Sequence, residues 1–103
     1  MIIDMFAQVG DFGEDKDAAA KLRKENIAPC VTRKEVVTLD FNDVTLVTQS
    51  FVHALISDVL RVHGENALEY LEFKACADVV RGIISTVVQY SLDSMDEENG
   101  PGK

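Results

Sequence analysis

Between Val36 and Gly64 the hydrophobic period switches from two to about 3.6, and no other stretch limits the fold as tightly. Val37, Leu39 and Phe41 alternate with Val36, Thr38 and Asp40. This predicts a strand over Glu35–Phe41, well covered on one face and thinly on the other. A polar turn at Asn42-Asp43 follows, and then an amphipathic helix from about Ser50 to His63. Gly64 closes that helix, as a residue free to take the left-handed conformation should. Phe51, Val52, Leu55, Ile56, Val59, Leu60 and Val62 cover about half of the helix circumference, a width that predicts deep burial. The opposite sector, with Ser50, His53, Ala54, Ser57 and Arg61, is left as a polar stripe.

The flanking segments read less sharply. Residues 1–9 alternate like an edge strand, and Gly10 to Gly13 read as a loop. Asp15 or Asp17 caps a helix with a narrow stripe of Ala18, Ala19 and Leu22, closed by Asn26 and Pro29. Residues 68–73 (LEYLEF) predict a short strand. From Asp78 to Leu92 the pairs Val79/Val80, Ile83/Ile84 and Val87/Val88 recur every four residues, which predicts a helix although β-branched side chains disfavour one slightly. The expected domain is residues 1–95, followed by a polar, disordered tail, 96–103. The class is α/β in the order βαβαβα, with a three- to four-stranded mixed or parallel sheet and packed helices. A helical crossover makes the second and third strands parallel, with right-handed chirality. So small a sheet has exposed edges, which leave edge pairing or a homodimer open.

Composition excludes more than it assigns. The 103 residues suffice for one domain, and 18 acidic against 10 basic residues give a net charge of −8. A phosphate backbone needs clustered Lys and Arg, so no nucleic-acid partner is expected. No stretch approaches the length of a membrane helix, and Met1 to Ala7 lack the basic start of an export signal. Cys30 and Cys76 form no CxxC pair and read as free thiols, so a cytoplasmic location is expected. Asp11-Phe12-Gly13 matches the kinase magnesium triplet but stands alone, without a glycine-rich loop, strand lysine or catalytic loop. Asp11, Glu14, Asp15 and Asp17 lack calcium-loop spacing, and His53 and His63 do not share a helix face. No metal, no cofactor and no catalytic residue is therefore expected, and the chain does not read as an enzyme.

Thr48-Gln49-Ser50 opens the central helix, where hydroxyls cap orphan N–H groups and an added phosphate would be favourably placed. Ser50 is the expected N-cap. With Val37, Leu39, Asp40, Val44 and Val47 before it, the Thr48-Gln49-Ser50-Phe51 segment resembles the core of STAS domains, the fold of bacterial anti-sigma-factor antagonists. The resemblance is to the STAS-like bacterial domains of unknown function, over roughly residues 1–92. It implies a small STAS-like fold, although an N-terminal antiparallel strand is missing relative to a full STAS domain. It also implies a non-catalytic regulatory module that binds a protein partner, an ATP-binding regulatory kinase or anti-sigma-type protein. The implied partner surface comprises Asp40, Asp43, Gln49, Ser50, His53, Ser57 and Arg61. Gln49 falls at the usual phosphoacceptor position, so Ser50 and Thr48 are the hydroxyls left for phosphorylation. Two other classes stay in view: a small ligand-binding or enzymatic domain, and a structural subunit of a homo-oligomer.

Overall fold

A computed structural model describes residues 1–99, with side chains through Asp93. Strand β1 (Ile2–Asp4) leads into a short helix, α1 (Met5–Val9), and then β2 (Phe12–Gly13). Helix α2 (Lys16–Leu22) continues through a π-turn (Arg23–Ile27) into α3 (Ala28–Thr32). Strands β3 (Val37–Asp40) and β4 (Leu46–Val47) precede a second continuous helix, made of α4 (Gln49–Val52), a π-turn (His53–Ser57) and α5 (Asp58–His63). A 3-10 turn (Gly64–Glu69), β5 (Leu71–Lys74) and α6 (Asp78–Asn99) complete the fold.

The main sheet has the order β1-β3-β5, all parallel, in register as Ile2, Thr38 and Glu72 in one row and Asp4, Asp40 and Lys74 in another. A strand order that never reverses, joined by right-handed crossovers, sends every crossover helix to the same face. Burial follows that rule. Ile3, Val37, Leu39 and Leu71 are buried on the helix side, whereas Ile2, Glu72 and Lys74 are exposed and Thr38 and Asp40 half-exposed on the other. Parallel sheets are usually covered on both faces, and here one face stays open to water. Beside this sheet β2 and β4 form a separate parallel pair, Phe12 with Leu46 and Gly13 with Val47.

The expected class and the parallel pairing of the strands are present, but five boundaries moved. Residues 1–9 are not one strand: Asp4 accepts a hydrogen bond from the Ala7 N–H and caps α1, so the alternation stops after three residues. The loop expected at Gly10–Gly13 contributes β2. Pro29 does not end the first long helix. The π-turn before it has the Ala28 N–H bonded to the Arg23 carbonyl, and Pro29 then falls in the first turn of α3, where no N–H is required. The predicted strand at 68–73 starts later, at Leu71, behind the 3-10 turn. Helix α6 begins at Asp78 as expected and runs past Leu92 to Asn99. It thus enters the expected tail of 96–103, whose last four residues lie outside the described ones.

The core gathers Leu39, Phe41, Phe51, Leu55, Ile56 and Leu60, all fully buried, from β3, its following turn and the second long helix. Two residues of that helix depart from the expected arc: Ser57 is fully buried and Val62 is 74% exposed. The π-turn His53–Ser57 explains both. One additional residue in a turn sets the helix phase back by about 100°, which turns Ser57 inward and Val62 outward while Val59 and Leu60 stay in the core. Arg23, in the first π-turn, reaches this second one. Its guanidinium donates to the Ala54 carbonyl at 2.7 Å and lies 3.5 Å from Asp58.

Candidate functional site

The turn between β3 and the second long helix is built by short-range hydrogen bonds. Asp40, at the end of β3, accepts from the Asn42 N–H at 3.0 Å, and the Val44 N–H closes onto the Phe41 carbonyl. Asp43 takes a left-handed φ of 71°, which Asp tolerates better than most residues. Thr45 then turns to the Asp11 carbonyl with both its N–H and its hydroxyl. The Thr48 N–H bonds to the Gly13 carbonyl, which fixes the helix start against β2. Space is tight at Gly13. A Cβ there would meet Val47 Cγ1 at 3.1 Å and the Phe51 ring at 3.2 Å.

Thr48, and not Ser50, is the N-cap. Its backbone is extended (φ −89°, ψ 156°) and its Oγ1 accepts from the Phe51 N–H at 3.1 Å. Ser50 lies inside the first turn, exposed beside the exposed Gln49. A cap needs non-helical dihedrals and the right reach to the third residue on, and Thr48 alone has both. The Ser50 hydroxyl is thereby left out of the capping of the helix.

Around Ser50 three elements form an open cleft of about 390 Å³, lined by Lys16, Gln49, Ser50, His53, Ala54 and Tyr90. Lys16 opens α2, Tyr90 comes from α6, and the rest belong to the helix started by Thr48. His53 Nδ1 and the Tyr90 hydroxyl share a hydrogen bond of 2.7 Å, and their rings stack at 5.8 Å between centroids. The pair makes a fixed, half-buried wall to the cleft.

The surface expected from the sequence therefore divides. Gln49, Ser50 and His53 come together in the cleft, with Asp40 and Asp43 in the preceding turn. Ser57 is a correction: it is fully buried under α6 and accepts from the Ser91 hydroxyl at 3.0 Å, so it is unavailable to a partner. The π-turn rotates it inward, and α6 covers the sector expected to be free. Arg61 stays exposed but does not line the cleft. Lys16 and Tyr90 were not legible as cleft residues, since neither carries a spacing signal toward position 50.

Two further groups bear on chemistry. Cys76, half-buried ahead of α6, has its thiol pushed up by burial, an effect partly opposed by Arg81 and reinforced by Asp40. A raised thiol is a poor nucleophile near neutral pH. Cys30 is buried and both cysteines are free. Among the described residues no group of three or more His, Cys, Asp or Glu is placed to hold a metal ion, and no helix is long and apolar enough to cross a membrane.

No curated protein and no solved structure matches the chain. A family model does, over residues 18–81, from the first turns of α2 to the start of α6, which takes in β3, the capped turn and the whole helix behind Thr48. With more than half of its length matched, and with parallel strands backed by helices on one side, the chain belongs to the family of STAS-like domains of unknown function.

Proposed function

We propose that the protein is a non-catalytic interaction module whose partner docks over the start of the second long helix, on Asp43, Gln49, Ser50 and the cleft behind them. The observation that carries this reading is the division of labour between two hydroxyls. Thr48 holds the cap, while Ser50 is exposed and lines the cleft together with Lys16 and His53. A phosphate on Ser50 would add about −1.5 to −2 charges to this surface without disturbing the cap. By kinship with the STAS regulators, the fitting partner is an ATP-binding regulatory kinase or an anti-sigma-type protein, and the added charge would release it. A small ligand-binding or enzymatic role has less support, because the cleft joins no nucleophile to a general base: the His53 Nδ1 is engaged with Tyr90.

The test starts from the intact protein as bait in a native pull-down, followed by titration of each recovered partner. Ser50→Asp should weaken binding at least about tenfold, whereas Ser50→Ala and the distant Glu65→Gln should leave it unchanged. Equal affinity for all three would remove the helix start from the partner surface. Measurable nucleotide or ester turnover by the isolated protein, abolished by one cleft substitution, would replace the module reading with an enzymatic one.

A further inference from the structure

The outer edge of β1 is a second surface, sharing no residue with the helix start. β1 pairs with β3 on one side only. The Met1 carbonyl accepts from the Thr38 N–H at 2.8 Å, so strand alternation turns the N–H and C=O of Ile2 and the N–H of Asp4 outward, while the Asp4 carbonyl serves the first turn of α1. Free edges are commonly guarded by a charge, a proline or a bulge. β1 carries no proline: its first residue, Ile2, is apolar and 68% exposed, Ile3 is buried, and its one charged side chain, Asp4, is occupied in capping α1. A cleft of about 530 Å³ runs along this edge, between β1 and the α2–π-turn helix, with Lys21, Leu22 and Glu25 on its far wall.

Charge selects the occupant. Lys21 and Glu25 stand one turn apart on the cleft side of the helix, and neither takes part in the two ion pairs found among the described residues, Arg23–Asp58 and Arg33–Glu35. Opposite charges spaced in this way complement their own image under a two-fold axis. We infer that a second copy of this chain pairs its β1 antiparallel to the first, making one continuous six-stranded sheet. Antiparallel strands bring the two helices alongside in opposite directions. Lys21 of each copy then faces Glu25 of the other, and the outward groups of Ile2 and Asp4 find partners. A parallel pairing of the same two edges needs a two-fold axis along the strands, which would put the two helices on opposite faces of the sheet and leave Lys21 and Glu25 without each other.

Sedimentation velocity on the full chain, from about 1 µM to about 1 mM, tests the inference. A reversible monomer–dimer equilibrium is expected, with the Ile2 and Asp4 amides exchanging more slowly as the dimer forms. Ile2→Lys, at an exposed position, should keep the fold and give a monomer throughout. Lys21→Glu and Glu25→Lys should each weaken the dimer about tenfold, the scale of two exposed ion pairs turned repulsive. The double exchange Lys21→Glu with Glu25→Lys should restore it. A wild-type monomer across the range, a dimer indifferent to Ile2→Lys, or a double exchange no better than the single ones would each overturn the pairing. Since Ser50 lies outside this surface, partner binding at the helix start should survive in the Ile2→Lys monomer.

Discussion

Replacing Thr48 and Ser50 one at a time separates a structural hydroxyl from a free one. In Thr48→Ala the Oγ1 that accepts from the Phe51 N–H at 3.1 Å is lost, and that N–H is left partly buried without a side-chain partner. Removing a threonine cap costs about 0.5–2 kcal/mol, typically about 1. For a domain of this size 1 kcal/mol lowers the melting temperature by about 4–8 °C. Ser50 is exposed and its hydroxyl has no hydrogen bond among the described residues, so Ser50→Ala should stay within about 0.5 kcal/mol of the wild type. Ser50→Asp places a carboxylate in the first helical turn and should stabilise by about 0.3–1 kcal/mol. Thr48→Ser, which keeps the oxygen, should be nearly neutral. Urea unfolding at 25 °C followed by circular dichroism gives all four values. A Ser50→Ala variant less stable than Thr48→Ala would refute the assignment of the cap, and with it the argument that Ser50 is free to be modified.

Three further outcomes follow from the geometry. Arg23→Ala should cost about 2–3 kcal/mol in urea unfolding, mostly from the charge-assisted bond to the Ala54 carbonyl; Asp58→Ala should cost under about 1, since Asp58 is 60% exposed. Gly13→Ala should cost about 1–3 kcal/mol in the same assay by overpacking against Val47 and Phe51, and a neutral result would mean that β2 and β4 are not held as close as described. Alkylation of Cys76 in a Cys30→Ala background should have its midpoint above that of a free thiol, because burial favours the neutral form. The stability tied to this shift is complete below the unfolded thiol pKa and is lost as pH rises from there through the folded value; Cys76→Ser should flatten that alkaline slope in melting experiments.

Much of the fold was legible where one period ran uninterrupted. Val37 and Leu39 gave β3 its buried face, and Phe51 through Ile56 gave the second long helix its core side. The start of α6 at Asp78 was legible as well, because paired apolar residues every four positions outweigh the mild penalty on β-branched side chains. The failures have local causes. Nine residues with alternating polarity fit a strand, yet Asp4 binds the Ala7 N–H and converts the alternation into a capped helical turn. At Ser57 and Val62 the helical wheel failed because a π-turn changes the phase, and no residue type announces one. The candidate site was legible in its helix start and not in its walls: Ser57 left the surface, and Lys16 and Tyr90 entered it, through packing between elements far apart in the chain.

That packing also joins residues inside the family match to residues outside it. Thr48, Ser50 and His53 all fall within residues 18–81, so the capped helix start with its exposed serine lies in the family-matched core. Lys16 precedes the match and Tyr90 follows it, yet these two side chains turn the helix start into a cleft. Tyr90 is held there by three linked contacts on α6: the bond to His53 Nδ1, the buried Ser91–Ser57 hydroxyl pair, and the burial of Val80, Ile84 and Val87. A partner that reads only the helix start would meet residues that lie within the family match. One that enters the cleft would meet a cation on one side and an aromatic, histidine-linked wall on the other. If a partner docks as proposed, the first turn of α2 and the body of α6, both outside the family match, are where its contacts with Lys16 and Tyr90 would fall.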